Sequence, residues 1–140
     1  MNQQIDKKFS SELEYIRHQL LCMGNLVEQQ IEQAINVFTS GDFRVAKKGI
    51  NLINQVEDSL DKACLQALAS QQSAGFDLRF FITVIKITHE LKLIGELAEC
   101  IAKKAIHLTS VADNLADYPE VHHLSKSVKD MLRYALDTFA

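Results

Sequence analysis

Apolar residues recur in this chain at intervals of three and four over stretches of about thirty residues, a spacing typical of amphipathic helices. The only proline among the 140 residues is Pro119, and there are five glycines. Such a spacing places apolar side chains on one face of an α-helix, whereas an all-β domain needs many more turn residues. The sequence therefore predicts an all-α fold.

Four helices follow from this pattern and from the residues that interrupt it. Three long helices are expected over about residues 6–39, 43–72 and 78–109, with a fourth from Pro119 to residue 140. Residues 39–42 end the first helix and provide an N-cap for the second. Asp77 is placed to cap the third helix. Proline suits the first position of a helix. Long helices joined by short connections favour an antiparallel bundle.

Two features bear on how these helices pack. The third helix is apolar over a wide arc, so we expect neighbours on more than one of its sides. Gly49 lies inside the second helix, where it either permits close packing or is simply tolerated.

Cys22, Cys64 and Cys100 are widely spaced and lie inside helical patterns, which predicts buried free thiols in a reducing cytosol.

The fourth helix repeats the apolar pattern of the first at an offset of 101 residues. The matched pairs are Val27 with Val128, Ile31 with Leu132, Ala34 with Ala135, Ile35 with Leu136, and Phe38 with Phe139. We interpret residues 1–117 as a three-helix repeat and residues 118–140 as the first helix of an incomplete second repeat. We therefore expect a natural short relative or a fragment. The fourth helix then folds back on the bundle, frays, or pairs with another chain as a homodimer.

Composition disfavours several classes of function. The net charge is −3, whereas nucleic-acid binders normally carry a basic excess. No apolar run approaches the ~18 residues that span a bilayer, and the first residues do not resemble a secretory signal. No glycine-rich phosphate loop and no nucleophile with a recognisable base are present. The sequence predicts no catalytic residue, no cofactor-binding residue and no enzyme activity.

Several segments resemble the PhoU family of bacterial phosphate-signalling regulators, and the resemblance runs from about residue 9 to residue 139. They are SELEYIRHQLLCMGNLVEQQIEQAI, GDFRVAKKGI, VEDSLDKACLQALASQQ, DLRFFITVIKI and HELKLIGELAECIAKKA. The most specific pieces are Met23-Gly24, followed by Val27-Glu28 and Gln30-Ile31, and the triplet Asp77-Leu78-Arg79. This chain matches the first repeat of such a protein and the opening of its second.

The resemblance implies a fold of three-helix repeats and a cytoplasmic regulator without enzyme activity. It implies two partners, the ATPase subunit of the phosphate ABC transporter and the phosphate-sensing histidine kinase, and contact with the membrane only through them. Such a protein restrains phosphate uptake and transcription of the Pho regulon when phosphate is plentiful. Two alternatives stay open, a helical bundle with a structural or sensing metal ion and a PhoU-like module of a sodium–phosphate cotransporter.

The resemblance also implies a metal motif, since many family members carry Glu-Arg-Ile-Gly-Asp on the third helix. The matching stretch here is Lys-Leu-Ile-Gly-Glu, from Lys92 to Glu96, so a lysine replaces the first carboxylate. We expect Lys92 to pair with Glu96 on the surface, which argues against a metal. The candidate ligands that remain are Glu96 and Cys100, which could form half a site for a divalent or ferric ion.

Charged faces offer candidate surfaces for protein partners. One is acidic and contains Glu57, Asp58 and Asp61, which we expect to be solvated. The other is basic and contains Lys103 and Lys104. The sequence does not choose between the two surfaces.

Overall fold

A computed structural model describes the backbone of residues 2–70, 75–111 and 119–140. These residues form four helices, which are α1 (Asn2–Ser40), α2 (Arg44–Ser70), α3 (Gly75–Val111) and α4 (Pro119–Phe139), and the described part contains no strand. The first three pack against one another as an antiparallel bundle, and α4 packs on α1. The predicted all-α class and the four helices are therefore confirmed. None of the described helices is both long enough and apolar enough to span a bilayer.

The predicted boundary between α1 and α2 is confirmed, and its geometry explains the residues there. Gly41 has a φ of 67°, a left-handed conformation that glycine adopts without a steric penalty, and its N–H donates to the Val37 carbonyl at 2.9 Å. Asp42 Oδ1 then accepts the N–H of Arg44 at 3.0 Å. This bond satisfies a backbone donor that the start of α2 would otherwise leave unpaired.

The structure extends α3 by a few residues beyond the predicted range of about 78–109 at both ends, and the predicted N-cap is wrong. The helix begins at Gly75, so Asp77 lies inside it and is not its N-cap. At the other end α3 continues to Val111, two residues beyond the predicted stop. The remainder of the predicted polar loop, residues 112–118, lies outside the described residues, as do residues 71–74.

The core lies between α1, α2 and α3 and consists of two apolar clusters. The larger one includes Ile16, Leu20, Met23 and Val27 of α1, Ile53 and Leu60 of α2, and Phe81 and Val84 of α3. The smaller one is built largely from alanines, which are Ala34, Ala46, Ala98, Ala102 and Ala105. Small side chains let helix axes approach closely, so the alanine cluster draws the three helices together near the α1–α2 turn.

Gly49 lies at a close contact between α1 and α2, which favours the first of the two alternatives. The side chain of Gln30 is buried, and its Nε2 donates to the Ala46 carbonyl at 2.7 Å. A Cβ atom built on Gly49 would overlap Oε1 of Gln30. The absence of a side chain at this position of α2 is therefore what leaves room for a buried amide on α1.

The fourth helix folds back on the bundle and runs antiparallel to α1. Leu136 is buried against Gly24, and the Arg133 guanidinium donates to both oxygens of Glu28 at 2.7 and 2.8 Å. Of the three expected arrangements of the fourth helix, the structure shows this one. The division of the chain at residues 117 and 118 into a repeat and a partial repeat stays a prediction.

Candidate functional site

A charged cluster lies where the middle of α2 faces α3. Glu57, Asp58 and Asp61 project from two consecutive turns of α2, and Lys92 approaches from α3. The Lys92 Nζ lies 2.7 Å from Oε2 of Glu57, whose side chain is only 12% exposed. Two expectations are therefore wrong. Lys92 pairs with α2 instead of Glu96, and Glu57 is not a solvated residue.

The charges of this cluster do not balance, because the single ammonium of Lys92 faces several carboxylates. The pKa of Lys92 is raised, first by its hydrogen bond to Glu57 and then by the charges of Glu57, Glu96 and Asp58. The pKa of Asp61 is raised by partial burial and by the neighbouring charges of Glu57 and Asp58. The cluster thus keeps an excess of negative charge although Lys92 neutralises part of it.

A pocket of about 440 Å³ opens beside this pair. Its lining residues are Glu57, Asp61, Ile85, Lys86, His89 and Glu90. Three of these residues are carboxylates, one is apolar, and two, Lys86 and His89, are basic. The carboxylates and the apolar side chain suit the end of a lysine or arginine, whose stem is apolar and whose tip is cationic. The chemistry that this site offers is electrostatic docking of a basic side chain.

The residues present do not fit the two-carboxylate metal site that the family motif implies. The position of the first carboxylate is Lys92, whose ammonium is bound to Glu57 and would repel a cation. Glu96 and Cys100 are both exposed on α3, and within the described residues no three His, Cys, Asp or Glu side chains are placed to hold one ion. Glu96 and Cys100 as a ligand pair stay a prediction.

The three cysteines have different environments. Cys64 is buried as predicted, and desolvation raises the pKa of its thiol to about 11, so it is protonated at neutral pH. Cys22 is half-buried, and its Sγ lies 3.6 Å from Nε2 of His18. Cys100 is exposed, so the prediction of a buried thiol is wrong there, because its position on α3 faces away from α1 and α2.

The basic candidate surface is partly engaged within the chain. Lys103 pairs with Glu99 at 3.1 Å and lies 5.9 Å from the ring centroid of Phe43, whereas Lys104 is exposed. Lys103 therefore lies near the residue that precedes α2. Sequence reasoning missed the pairs of Lys92 with Glu57 and of Arg133 with Glu28. Both join residues far apart in the chain, and helical spacing within one sequence carries no signal for such pairs.

Comparison with known proteins places most of the chain within one family profile. The description "PhoU domain" matches residues 20–105. A phosphate-specific transport system accessory protein PhoU homolog from Pseudomonas aeruginosa is 37% identical over 139 residues, covering 97% of this chain. The Escherichia coli protein, named phosphate-specific transport system accessory protein PhoU, is 33% identical over 143 residues and covers all of this chain. The chain spans just over half the length of these relatives, 57% and 59%.

A solved structure is similar in shape as well as in sequence. The crystal structure of PhoU from Pseudomonas aeruginosa matches with a TM-score of 0.83 at 36% identity. The match covers 94% of this chain and 64% of that chain. The arrangement of the four helices is therefore shared with that protein.

Proposed function

The chain belongs to the PhoU family, and from that premise we propose that it regulates phosphate uptake and phosphate signalling by contact with other proteins. The observation that carries the proposal is the family match over residues 20–105, together with relatives named as accessory proteins of the phosphate-specific transport system. Its proposed partners are the ATPase subunit of the phosphate ABC transporter and the phosphate-sensing histidine kinase. It acts in the cytoplasm, controls the Pho regulon through the kinase and has no enzyme activity of its own.

The chemistry of the described residues supports regulation by contact. The side chains of the charged cluster are arranged for electrostatic docking, and the buried Cys64 is protonated and therefore a poor nucleophile. A docked regulator changes its partner by binding one conformation more tightly than another. We propose that the pocket beside Glu57 and Asp61 receives a basic side chain of the ATPase subunit, since three of its six lining residues are carboxylates, against one lysine and one histidine.

The proposal is tested by calorimetric titration of the chain into the ATPase subunit from the same organism. We expect saturable binding, and we expect Asp58→Arg to weaken it because the reversed charge lies beside the pocket. Glu120→Arg is the matched control, since Glu120 is an exposed acid at the start of α4. Both variants change the net charge equally, so the comparison separates a local contact from general charge attraction.

Three outcomes would contradict the proposal or part of it. A chain that is helical and cooperative in circular dichroism but does not bind would contradict direct docking on the ATPase subunit. Equal weakening by Asp58→Arg and Glu120→Arg would show that the charged cluster is not the docking surface. Unchanged binding in Asp58→Arg would show the same.

The metal-binding alternative is less well supported, because Lys92 stands where the motif has a carboxylate. It is tested by loading the chain and the Lys92→Glu variant with iron or zinc and measuring metal content. More metal in the variant is the expected result. Equal content in both would show that the lysine is not what opposes binding.

A further inference from the structure

One side of α2 changes from acidic to apolar where it borders α3. Asp58, Asp61 and Leu65 are spaced by three and four residues, so they lie on the same side of that helix. Within the described residues, neither Asp58 nor Asp61 takes part in an ion pair or a hydrogen bond. Leu65 is 61% exposed. This side of α2 therefore presents two carboxylates that no ammonium binds and, one turn away, an open apolar side chain.

The facing side of α3 is apolar over the same stretch. Ile82, Ile85 and His89 are also spaced by three and four residues, and Leu78 lies one turn before Ile82. Ile82 and Leu78 are each 44% exposed, and Ile85 is partly exposed. The expectation that α3 has neighbours on more than one side is met by α1 and α2. These side chains lie at the outer edge of its contact with α2.

The two sides meet because α2 and α3 are antiparallel. Asp61 lines the same pocket as Ile85 and His89, which fixes the register of the two helices. One turn onward from Asp61 on α2 is met by one turn back on α3, so Leu65 faces the stretch that contains Ile82 and Ile85. We call the region formed by Asp58, Asp61, Leu65, Ile82, Ile85 and His89 the α2–α3 groove.

The fourth helix leaves this groove open, because it lies on a different side of α3. Phe139 of α4 stacks on Phe80 of α3 with 6.4 Å between the ring centroids. Ile82 is two residues after Phe80 and therefore points about 200° away around the helix axis. The part of the bundle on which α4 packs is thus not the part that carries the groove. An exposed apolar patch bordered by charged residues is typical of a surface that binds another molecule.

A helix is the element that such a groove accepts. The backbone N–H and C=O groups in the middle of α2 and α3 are paired within those helices, so they offer nothing to the free backbone groups of an extended segment. A helix pairs its own backbone groups and presents only side chains. The ridges of its side chains fit between two neighbouring helices, as in other cases of a helix bound in a groove.

The charge of the groove determines which kind of helix it suits. Lys92 is bound to Glu57, which leaves Asp58 and Asp61 as negative charges of the cluster. Lys86 and Glu90, which lie at the pocket, carry opposite charges and offset each other. A complementary helix therefore carries apolar residues on one face and a lysine or arginine one or two turns further along that face.

We propose that the α2–α3 groove binds a basic amphipathic helix of a partner protein. Its apolar residues pack against Leu65 and Ile82, and its lysine or arginine enters the pocket beside Asp61. The eleven residues from Leu78 to His89 span about 16 Å, so a helix of about three turns fills the groove. The inference rests on the proposed function, because it names the element by which a partner docks at the same site.

A peptide titration tests the proposal without the natural partner. The probe is a labelled peptide of about 15 residues, a length at which an isolated helix begins to form. Its leucines lie on one face of the first half, its lysines lie on that face of the second half, and alanine and glutamine fill the other positions. Fluorescence anisotropy is expected to show saturable binding to the 140-residue chain. A peptide of the same composition, with the leucines spread around the helix, is expected to bind at least about tenfold more weakly.

Variants of the chain locate the binding. The double variant Leu65→Ser, Ile82→Ser is expected to weaken binding of the first peptide by at least about tenfold, because it removes two exposed apolar side chains of the groove. Leu52→Ser is the matched control, since Leu52 is 41% exposed on α2 but lies on the side facing α1. It should bind the peptide as the wild type does. Circular dichroism should show unchanged helicity in both variants, because the replaced side chains are exposed.

Several results would overturn the proposal. They are a lack of binding at peptide concentrations up to about 1 mM, equal binding of the two peptides, and equal weakening by the double variant and by Leu52→Ser. Titration of the same variants into the ATPase subunit separates this inference from the proposed function. Binding that is weakened by Asp58→Arg but not by the double variant overturns the inference alone. An ATPase subunit that does not bind contradicts the proposed function, whereas the peptide result still decides the inference.

Discussion

Replacement of Lys92 by methionine is the sharpest test of the charged cluster. Methionine keeps an unbranched apolar side chain of similar length but removes the ammonium that lies 2.7 Å from Glu57. The Glu57 carboxylate then lies largely buried near Asp58 and Asp61 without the ammonium that pairs with it. Leaving a buried charged group without its partner costs about 1–3 kcal/mol. We expect Lys92→Met to lower the free energy of unfolding by that amount at pH 7.

The pH dependence of this effect has a definite sign. The folded chain raises the pKa of Lys92, so the stabilising interaction is fully present at neutral pH and is lost as the pH rises through that raised value.

Urea unfolding followed by far-ultraviolet circular dichroism measures the effect. The slope with denaturant should not change, so the difference appears in the midpoint. Lys86→Met is the control on the same helix, since Lys86 is exposed and its removal should change stability by less than about 0.5 kcal/mol. Adding Glu57→Gln to Lys92→Met should recover most of the loss. Equal effects in the two lysine variants, or no recovery with Glu57→Gln, would refute this account of the cluster.

Three further predictions concern stability and are checked by thermal or urea unfolding. Gly49→Ala should destabilise the chain by about 1–3 kcal/mol, because the new methyl group displaces the buried Gln30 side chain and its hydrogen bond; an unchanged midpoint would contradict this. Gly24→Ala should lower the free energy of unfolding by less than Gly49→Ala does, because the methyl group pushes only the flexible end of Leu136. Since Leu136 belongs to α4, this variant should also speed proteolysis within α4. Asp61→Asn should raise stability at pH 7 by less than about 1 kcal/mol, since the folded state raises the pKa of that carboxyl and so penalises its charged form. This gain should vanish below about pH 4, where the wild-type carboxyl is neutral too, and a gain that persisted there would have another cause.

Local features of the sequence determined the helices of this protein. The three-and-four spacing of apolar residues predicted four helices because that spacing reflects the geometry of a single helix, which does not depend on its neighbours. Gly41 and Asp42 marked the α1–α2 turn because left-handed backbone and side-chain capping are local properties. The start of α4 at Pro119 followed for the same reason. Where the local signal was ambiguous, at Asp77, the predicted boundary was wrong.

The tertiary structure alone decided which faces meet. Lys92 could pair with Glu96 one turn away or reach across to α2, and only the position of α2 selects Glu57. The surroundings of Gly49 and Cys100 are likewise set by the tertiary structure. Gly49 faces the buried amide of Gln30, whereas Cys100 faces solvent. Periodicity fixes the direction in which a side chain points, but its neighbours are set by the packing of helices that are distant in the chain.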